Sequence, residues 1–312
     1  MIYDMHVHFA ELVRDAVPNR YVRSYLRQFG LSHDELHGPE TNHLLQEKLF
    51  DWLDDSSVDR FVLLAMDRVH DEDGRSDPTA TAWVADNDFI AELASRHRKL
   101  LFGASVHPYR RDAIVELERA IARGACLVKW IPSAQHIRLD DPRCAAFYET
   151  LAAAKVPLLV HTGNEHVSSR SRNHWNDPAL LTHPLRRDVT VIAAHCGARM
   201  FLHERCGFKT FCRMALEHER LYGDLSAFGF PTRILPLRRI QRDSRLLAKV
   251  VYGSDFPVPV MPWWFVLSLG LKAVREVAAM VNPLERAYAL MRRMELPNEV
   301  FERVDTLLRS TA

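Results

Sequence analysis

Two histidines stand two residues apart near the start of the chain, in Met1-Ile-Tyr-Asp-Met-His6-Val-His8. Neutral imidazole is the commonest protein ligand for a metal ion. In an extended strand, residues i and i+2 face one side, so the two rings are expected next to each other. Groups of related chemistry close later apolar runs. They are Lys129 in Cys-Leu-Val-Lys-Trp-Ile, His161 in Leu-Val-His, His195 in Ala-Ala-His and Asp255 in Gly-Ser-Asp. Metal binding is the chemistry this pattern offers, provided the fold gathers residues so far apart in sequence.

The elements that would do so can be read as a repeat. Short apolar runs cover residues 2–8, 60–66, 100–106, 126–131, 157–161, 189–195, 221–226 and 248–253. Amphipathic stretches follow most of them. Helices are predicted at 42–55, 79–97 (after Asp77-Pro78) and 112–123 (before Gly124). Others are predicted from Asp141-Pro142 to Lys155, after Asp177-Pro178, and at 200–220, 232–247 and 262–280, with two more closing the chain. Apolar runs that alternate with helices imply a parallel sheet covered on both faces. Eight such units imply a (β/α)8 barrel filling residues 1–312 as one domain. In a barrel the C-terminal ends of all strands meet at one mouth, and His8, Lys129, His161, His195 and Asp255 all sit at such ends. Segment 10–41 is long and polar and directly follows the first strand, so it is a candidate lid over that mouth.

The strand-end motifs His6-Val-His8, Lys129-Trp, Val-His161-Thr-Gly, Ala-His195-Cys-Gly and Gly-Ser-Asp255-Phe-Pro resemble those of the amidohydrolase superfamily. The nearest branch is the amidohydrolase-2 group of metal-dependent hydrolases and decarboxylases. The resemblance runs from residue 2 to about residue 260. It implies one or two divalent ions at the barrel mouth. His6 and His8 would hold the first ion, completed by Asp255. His161 would join that ion or bind a second, and His195 would bind the second or orient the attacking water. Asp255 would also be the general base. A divalent cation lowers the pKa of bound water from about 15.7 to about 7, where a nearby carboxylate can take the proton. Lys129 stands where two-metal members carry a carbamylated lysine bridging both ions; one-metal members use a lysine here toward substrate. Zinc suits such a site, and manganese accepts the same ligands.

Composition narrows the partners. A net charge of +1 suggests neither nucleic acid nor an anionic membrane as partner. No run reaches the ~18 apolar residues of a membrane helix, and no leader pattern stands at the N-terminus. Five cysteines at irregular spacing suit free thiols, so a cytoplasmic protein is expected. The chain has 7 lysines against 34 arginines, which makes Lys129 informative and Arg170 and Arg172 weak pointers to an anionic substrate. A homo-oligomer is compatible with the sequence.

Other residues have plainer readings. Asp4 is expected as a buried hydrogen-bonded carboxylate and Cys196 as packing. His107 is read equally as a substrate contact or a structural histidine, with Gln135 and His136 ranking lower. Glu165 and His166 are expected on a solvated loop. Trp130, Trp175, Trp263 and Trp264 are candidates for a pocket wall or for helix packing. The leading function is hydrolysis of a C–O or C–N bond in a small molecule (a lactone, ester or amide) by metal-activated water. Non-oxidative decarboxylation of an aromatic or unsaturated acid is the second reading, and a non-catalytic binding barrel the third.

Overall fold

The computed structural model describes residues 1–9, 26–166 and 168–309. Eight strands form one sheet in sequence order, β1 to β8: Tyr3–His8, Arg60–Leu64, Leu100–Ala104, Leu127–Trp130, Leu158–His161, Val191–Ala194, Leu221–Asp224 and Val250–Val251. Every pairing between neighbours is parallel. Backbone bonds from Met5 to Tyr252 and from His8 to Phe256 bring β1 against the end of β8, nearly closing the barrel. All eight expected strands are present, each shorter than its apolar run; His8, Lys129 and His161 stay in the ladder, while His195 falls just past the end of β6.

The main helices are α1 (Thr41–Asp54), α2 (Asn87–Ser95), α3 (Ala113–Ala122), α4 (Cys144–Ala154), α5 (Phe208–Glu217), α6 (Ile234–Gln241), α7 (Val266–Ala278), α8 (Pro283–Arg293) and α9 (Asn298–Arg309). Two predicted helices are shorter than expected. Before α2, Asp77 Oδ1 accepts from the backbone of Thr79 and Ala80 and its carbonyl accepts from Thr81, which makes a turn. Ala85 then bridges to Met66, so residues 79–86 are a loop. Before α5, Glu204 captures the backbone N–H groups of Met200 and Phe201 and holds that stretch out of the helix.

The strands bury both faces. Their outer face packs on the helices through residues such as Phe61, Phe102, Val128, Trp130, Val160 and Val191. Their inner face forms a separate apolar cluster: Tyr3, Met5, Val62, Leu64, Leu127, Leu159, Ile192 and Val251. Val304, Leu307 and Leu308 of α9 seal that cluster at the end opposite the mouth. The register of β1 shifts between Asp4 and Val7, a bulge that breaks strict alternation. Met5 thus joins the inner plug while the next residue, His6, meets the side chain of Lys129.

Of the expected lid, residues 10–25 lie outside the described part. The rest holds a 3-10 turn (Arg27–Phe29) and a short helix (His33–His37). Phe29 packs on Trp52 and Phe256, ring centroids 5.1 and 5.4 Å away, which anchors this stretch beside the mouth.

Candidate metal centre

Local backbone geometry sets up the site. Asp255 and His195 both adopt left-handed backbone, with φ of 64° and 62°. Such conformations cost about 1–3 kcal/mol each in non-glycine residues and recur at functional sites. Gly253 explains the Gly-Ser-Asp motif: a Cβ there would lie 2.8 Å from the His6 Cβ, so only glycine lets the end of β8 close on β1.

His6, His8 and Asp255 form the one group of three potential ligands among the described residues. Their facing atoms are close. His6 Nε2 lies 3.1 Å from His8 Nε2 and 3.1 Å from Asp255 Oδ1, and His8 Nε2 lies 3.6 Å from the same oxygen. Donors about 2.0–2.2 Å from a tetrahedral ion stand about 3.3–3.6 Å apart. The three atoms therefore fit corners of one coordination shell. The donor chemistry, two imidazoles and a carboxylate, fits a divalent cation as well. Lys129 is fully buried with Nζ 3.0 Å from His6 Nε2.

His161 and His195 form a second pair, with His161 Nδ1 3.2 Å from His195 Nε2. The pair adjoins the first group, since His195 Nδ1 lies 3.9 Å from Asp255 Oδ2. His161 Nε2 is buried with no hydrogen-bond partner, and so is His8 Nδ1. An orphaned buried nitrogen is costly unless something else satisfies it.

Burial dominates the protonation of the site. It drives His6, His8, His161 and His195 well below the ordinary histidine range, which leaves them neutral and able to ligate. It pushes the Asp255 carboxyl up and the Lys129 amine down. A bound cation would oppose the rise at Asp255 and hold that carboxylate ionised.

The remaining sequence candidates separate clearly. Asp4 Oδ1 accepts from the N–H groups of Ser254 and His6, as expected of a structural carboxylate. Cys196 is buried packing, its thiol donating to the Asp224 carbonyl. His107 is structural: Nε2 donates to the Gln135 carbonyl and Nδ1 accepts from Tyr109. Gln135 in turn bonds to Ile131, Asp67 and Ser105, and His136 donates to the Arg170 carbonyl on the surface. Glu165 and His166 correct the solvated-loop expectation. The Glu165 side chain is 9% exposed with Oε2 3.7 Å from His161 Nδ1, and His166 pairs with Glu204 at 2.7 Å. Arg170 and Arg172 are exposed; one bonds Thr79 and the other lies over Trp175. Trp130 is buried against Phe147 and Tyr148 behind the barrel wall, and Trp263 and Trp264 are largely exposed.

Three residues near the site are absent from the sequence candidates. Trp83 lies on the loop before α2 with its ring 5.8 Å from that of His8. Asp224 and Arg233 are buried beneath the histidines. Asp224 Oδ2 accepts from His6 Nδ1 at 2.6 Å, and Arg233 donates to the Ser226 carbonyl at 2.9 Å. Asp224 lies inside the seventh apolar run, 221–226, and is the last residue of the observed β7, so a strand-end rule points to it once the strand is seen. Nothing in the sequence distinguishes Arg233 from the other arginines or marks Trp83.

The fold and this cluster agree with comparisons to known proteins. The amidohydrolase model of the amidohydrolase-2 group matches residues 3–300, and the chain belongs to that family of enzymes. No curated protein matches it. Solved structures share the barrel. An uncharacterized TIM-barrel protein from Bordetella bronchiseptica is 16% identical, with a TM-score of 0.61 over 94% of this chain and 99% of its own. A Pseudomonas putida protein described as a 2-pyrone-4,6-dicarboxylic acid hydrolase is 12% identical, with a TM-score of 0.57 over 99% and 97%. A Staphylococcus aureus protein described as an amidohydrolase is 12% identical, with a TM-score of 0.56 over 99% of both chains. Among the described residues, no helix is long and apolar enough to cross a membrane.

Proposed function

We propose that this protein is a metal-dependent hydrolase that opens a C–O or C–N bond in a small-molecule lactone, ester or amide. The observation that carries the reading is the trio of His6 Nε2, His8 Nε2 and Asp255 Oδ1, each 3.1–3.6 Å from the others at the barrel mouth. His6, His8 and Asp255 would hold one divalent cation, and the unpartnered His161 Nε2 would join that ion or serve a second one. Zinc suits this set, and manganese accepts it. When bound, the ion supplies Lewis acidity and a water acidic enough to ionise near neutral pH.

The side chains divide the remaining work. Asp255 presents Oδ1 to His6 and His8 and Oδ2 toward His195. The second oxygen is free to accept the water proton and return it to the leaving group. His195, left neutral by burial, orients the attacking water from the side of Asp255. Lys129 supports a second reading of the metal count. Burial lowers its amine, and a neutral amine is the form that captures carbon dioxide as a carbamate able to bridge two ions.

Elemental analysis of the purified protein separates one ion from two, and Lys129→Ala then loses one ion only if the carbamate exists. His6→Ala combined with His8→Ala should abolish stoichiometric metal; unchanged metal content refutes the site. Asp255→Asn should keep part of the metal and lose roughly 10²–10⁴-fold in turnover on a panel of lactones, esters and amides. Release of carbon dioxide from a carboxylic acid in place of ring or amide opening would replace hydrolysis by decarboxylation.

A further inference from the structure

Asp224 touches more of the site than any ligand does, yet it lies outside the trio. Oδ2 accepts the Nδ1–H of His6 at 2.6 Å. Oδ1 accepts the backbone N–H of His195 at 2.8 Å, that of Ser226 at 3.0 Å, and the Ser226 hydroxyl. The carboxylate is fully buried on the last residue of β7, between β1 and β6 in function though not in sequence.

The hydrogen bonds have directions that elementary chemistry fixes. His6 faces carboxylates at both nitrogens, Asp224 at 2.6 Å from Nδ1 and Asp255 at 3.1 Å from Nε2; the shorter contact takes the hydrogen on Nδ1, and the Nε2 lone pair then accepts from the Lys129 amine at 3.0 Å. The Ser226 hydroxyl has one hydrogen, and Asp224 takes it. Toward His195 Nδ1, 2.8 Å away, Ser226 Oγ can then only accept, which places the His195 hydrogen on Nδ1. His195 Nε2 is thereby an acceptor, and its neighbour at 3.2 Å, His161 Nδ1, must donate. The Glu165 carboxylate 3.7 Å from His161 Nδ1 is too far for a hydrogen bond but favours the same hydrogen position electrostatically. That leaves a lone pair on His161 Nε2, the buried nitrogen without a partner. Arg233 Nη1 lies 3.2 Å from His195 Nδ1, but its hydrogen bond is to the Ser226 carbonyl at 2.9 Å.

We propose that Asp224 is a positioning residue that fixes three histidine tautomers at once. It acts directly on His6, and through the Ser226 hydroxyl on His195 and His161, so that His6 and His161 both offer Nε2 lone pairs to the mouth. The inference deepens the metal reading above and rests on it for its purpose, but the tautomers themselves exist without metal. Outer partners that orient a ligating histidine typically govern metal affinity by 10–100-fold, so roughly that loss is expected on disrupting this one.

Histidine 15N shifts in the metal-free wild-type protein test it, with resonances assigned by His6→Gln, His161→Gln and His195→Gln. All three side chains should show hydrogen on Nδ1; hydrogen on Nε2 of any of them overturns the proposal. In Asp224→Asn the two backbone N–H groups claim the amide oxygen, so the amide NH2 faces His6 Nδ1. His6 should switch to the Nε2–H form, and Zn2+ affinity by chelator competition should fall roughly 10–100-fold. Retention of the wild-type tautomer in a folded variant overturns the assignment. Ser226→Ala should change His195 and His161 while leaving His6 unaltered; an equal change at His6 overturns the relay. Wild-type protein with all three hydrogens on Nδ1 that binds no metal would instead sink the metal reading and leave this one standing.

Discussion

The floor and the mouth of the barrel are built from the same strands, two residues apart. Leu127 and Lys129, Leu159 and His161, and Tyr222 and Asp224 are successive inward positions on β4, β5 and β7. The first of each pair belongs to the apolar plug or packs against it, and the second to the polar site. One inward step, about 6.6 Å along a strand, converts packing into chemistry. The floor repeats the same aliphatic solution on strand after strand. Each polar group at the mouth has its own partners, assembled across long stretches of sequence. The plug has one polar side-chain group on its strands, the Tyr3 hydroxyl, which donates to Asp305, and so supplies rigid footing. The mouth carries buried imidazoles, a carboxylate and an amine that burial alone disfavours.

The division makes the two layers separable. Leu159→Ala removes a fully buried floor side chain and should destabilise the protein by about 2–5 kcal/mol while metal content stays at the wild-type level. Denaturant unfolding and elemental analysis on one sample check both halves; loss of metal would break the separation. Val304→Ala, which thins the seal that α9 places on the plug, should cost about 2 kcal/mol, read from the same unfolding curves, with metal-binding affinity unmoved.

A smaller effect concerns pH. His107 sits outside both layers, and burial pushes it from an ordinary 6.5 down to about 3. The unfolded chain therefore binds a proton at His107 that the folded chain refuses between those values. Stability from this group is intact above pH 6.5 and declines as pH falls toward 3, by at most about 1.4 kcal/mol per pH unit. His107→Gln should flatten that part of the stability–pH curve of the metal-free protein. An unchanged slope would refute a contribution of His107 to acid sensitivity.

The strands were legible because each had to be apolar on both faces, and the ligand candidates because each stands at or near the end of such a run. The bulge in β1 was not. The alternation of Asp4, His6 and His8 reads as a regular strand, and only pairing with β2 reveals the extra residue. Trp83 was hidden by an Asp-Pro start signal that the structure spends on a turn. Arg233 was hidden by abundance. The tautomer chain through Asp224 and Ser226 was invisible for a different reason. Hydrogen-bond direction depends on which atoms meet, and His6 meets Asp224 across 218 residues.

The helix that seals the floor also dictates an order of assembly. Tyr3 of β1 donates its hydroxyl to Asp305, and Tyr252, just past β8, donates its N–H to Val300. On the ribosome, β1 with its two histidines is synthesised long before α9. The contacts that α9 makes with β1 and with the end of β8 are therefore available only once nearly the whole chain has been made, and the floor under His6 and His8 is completed last.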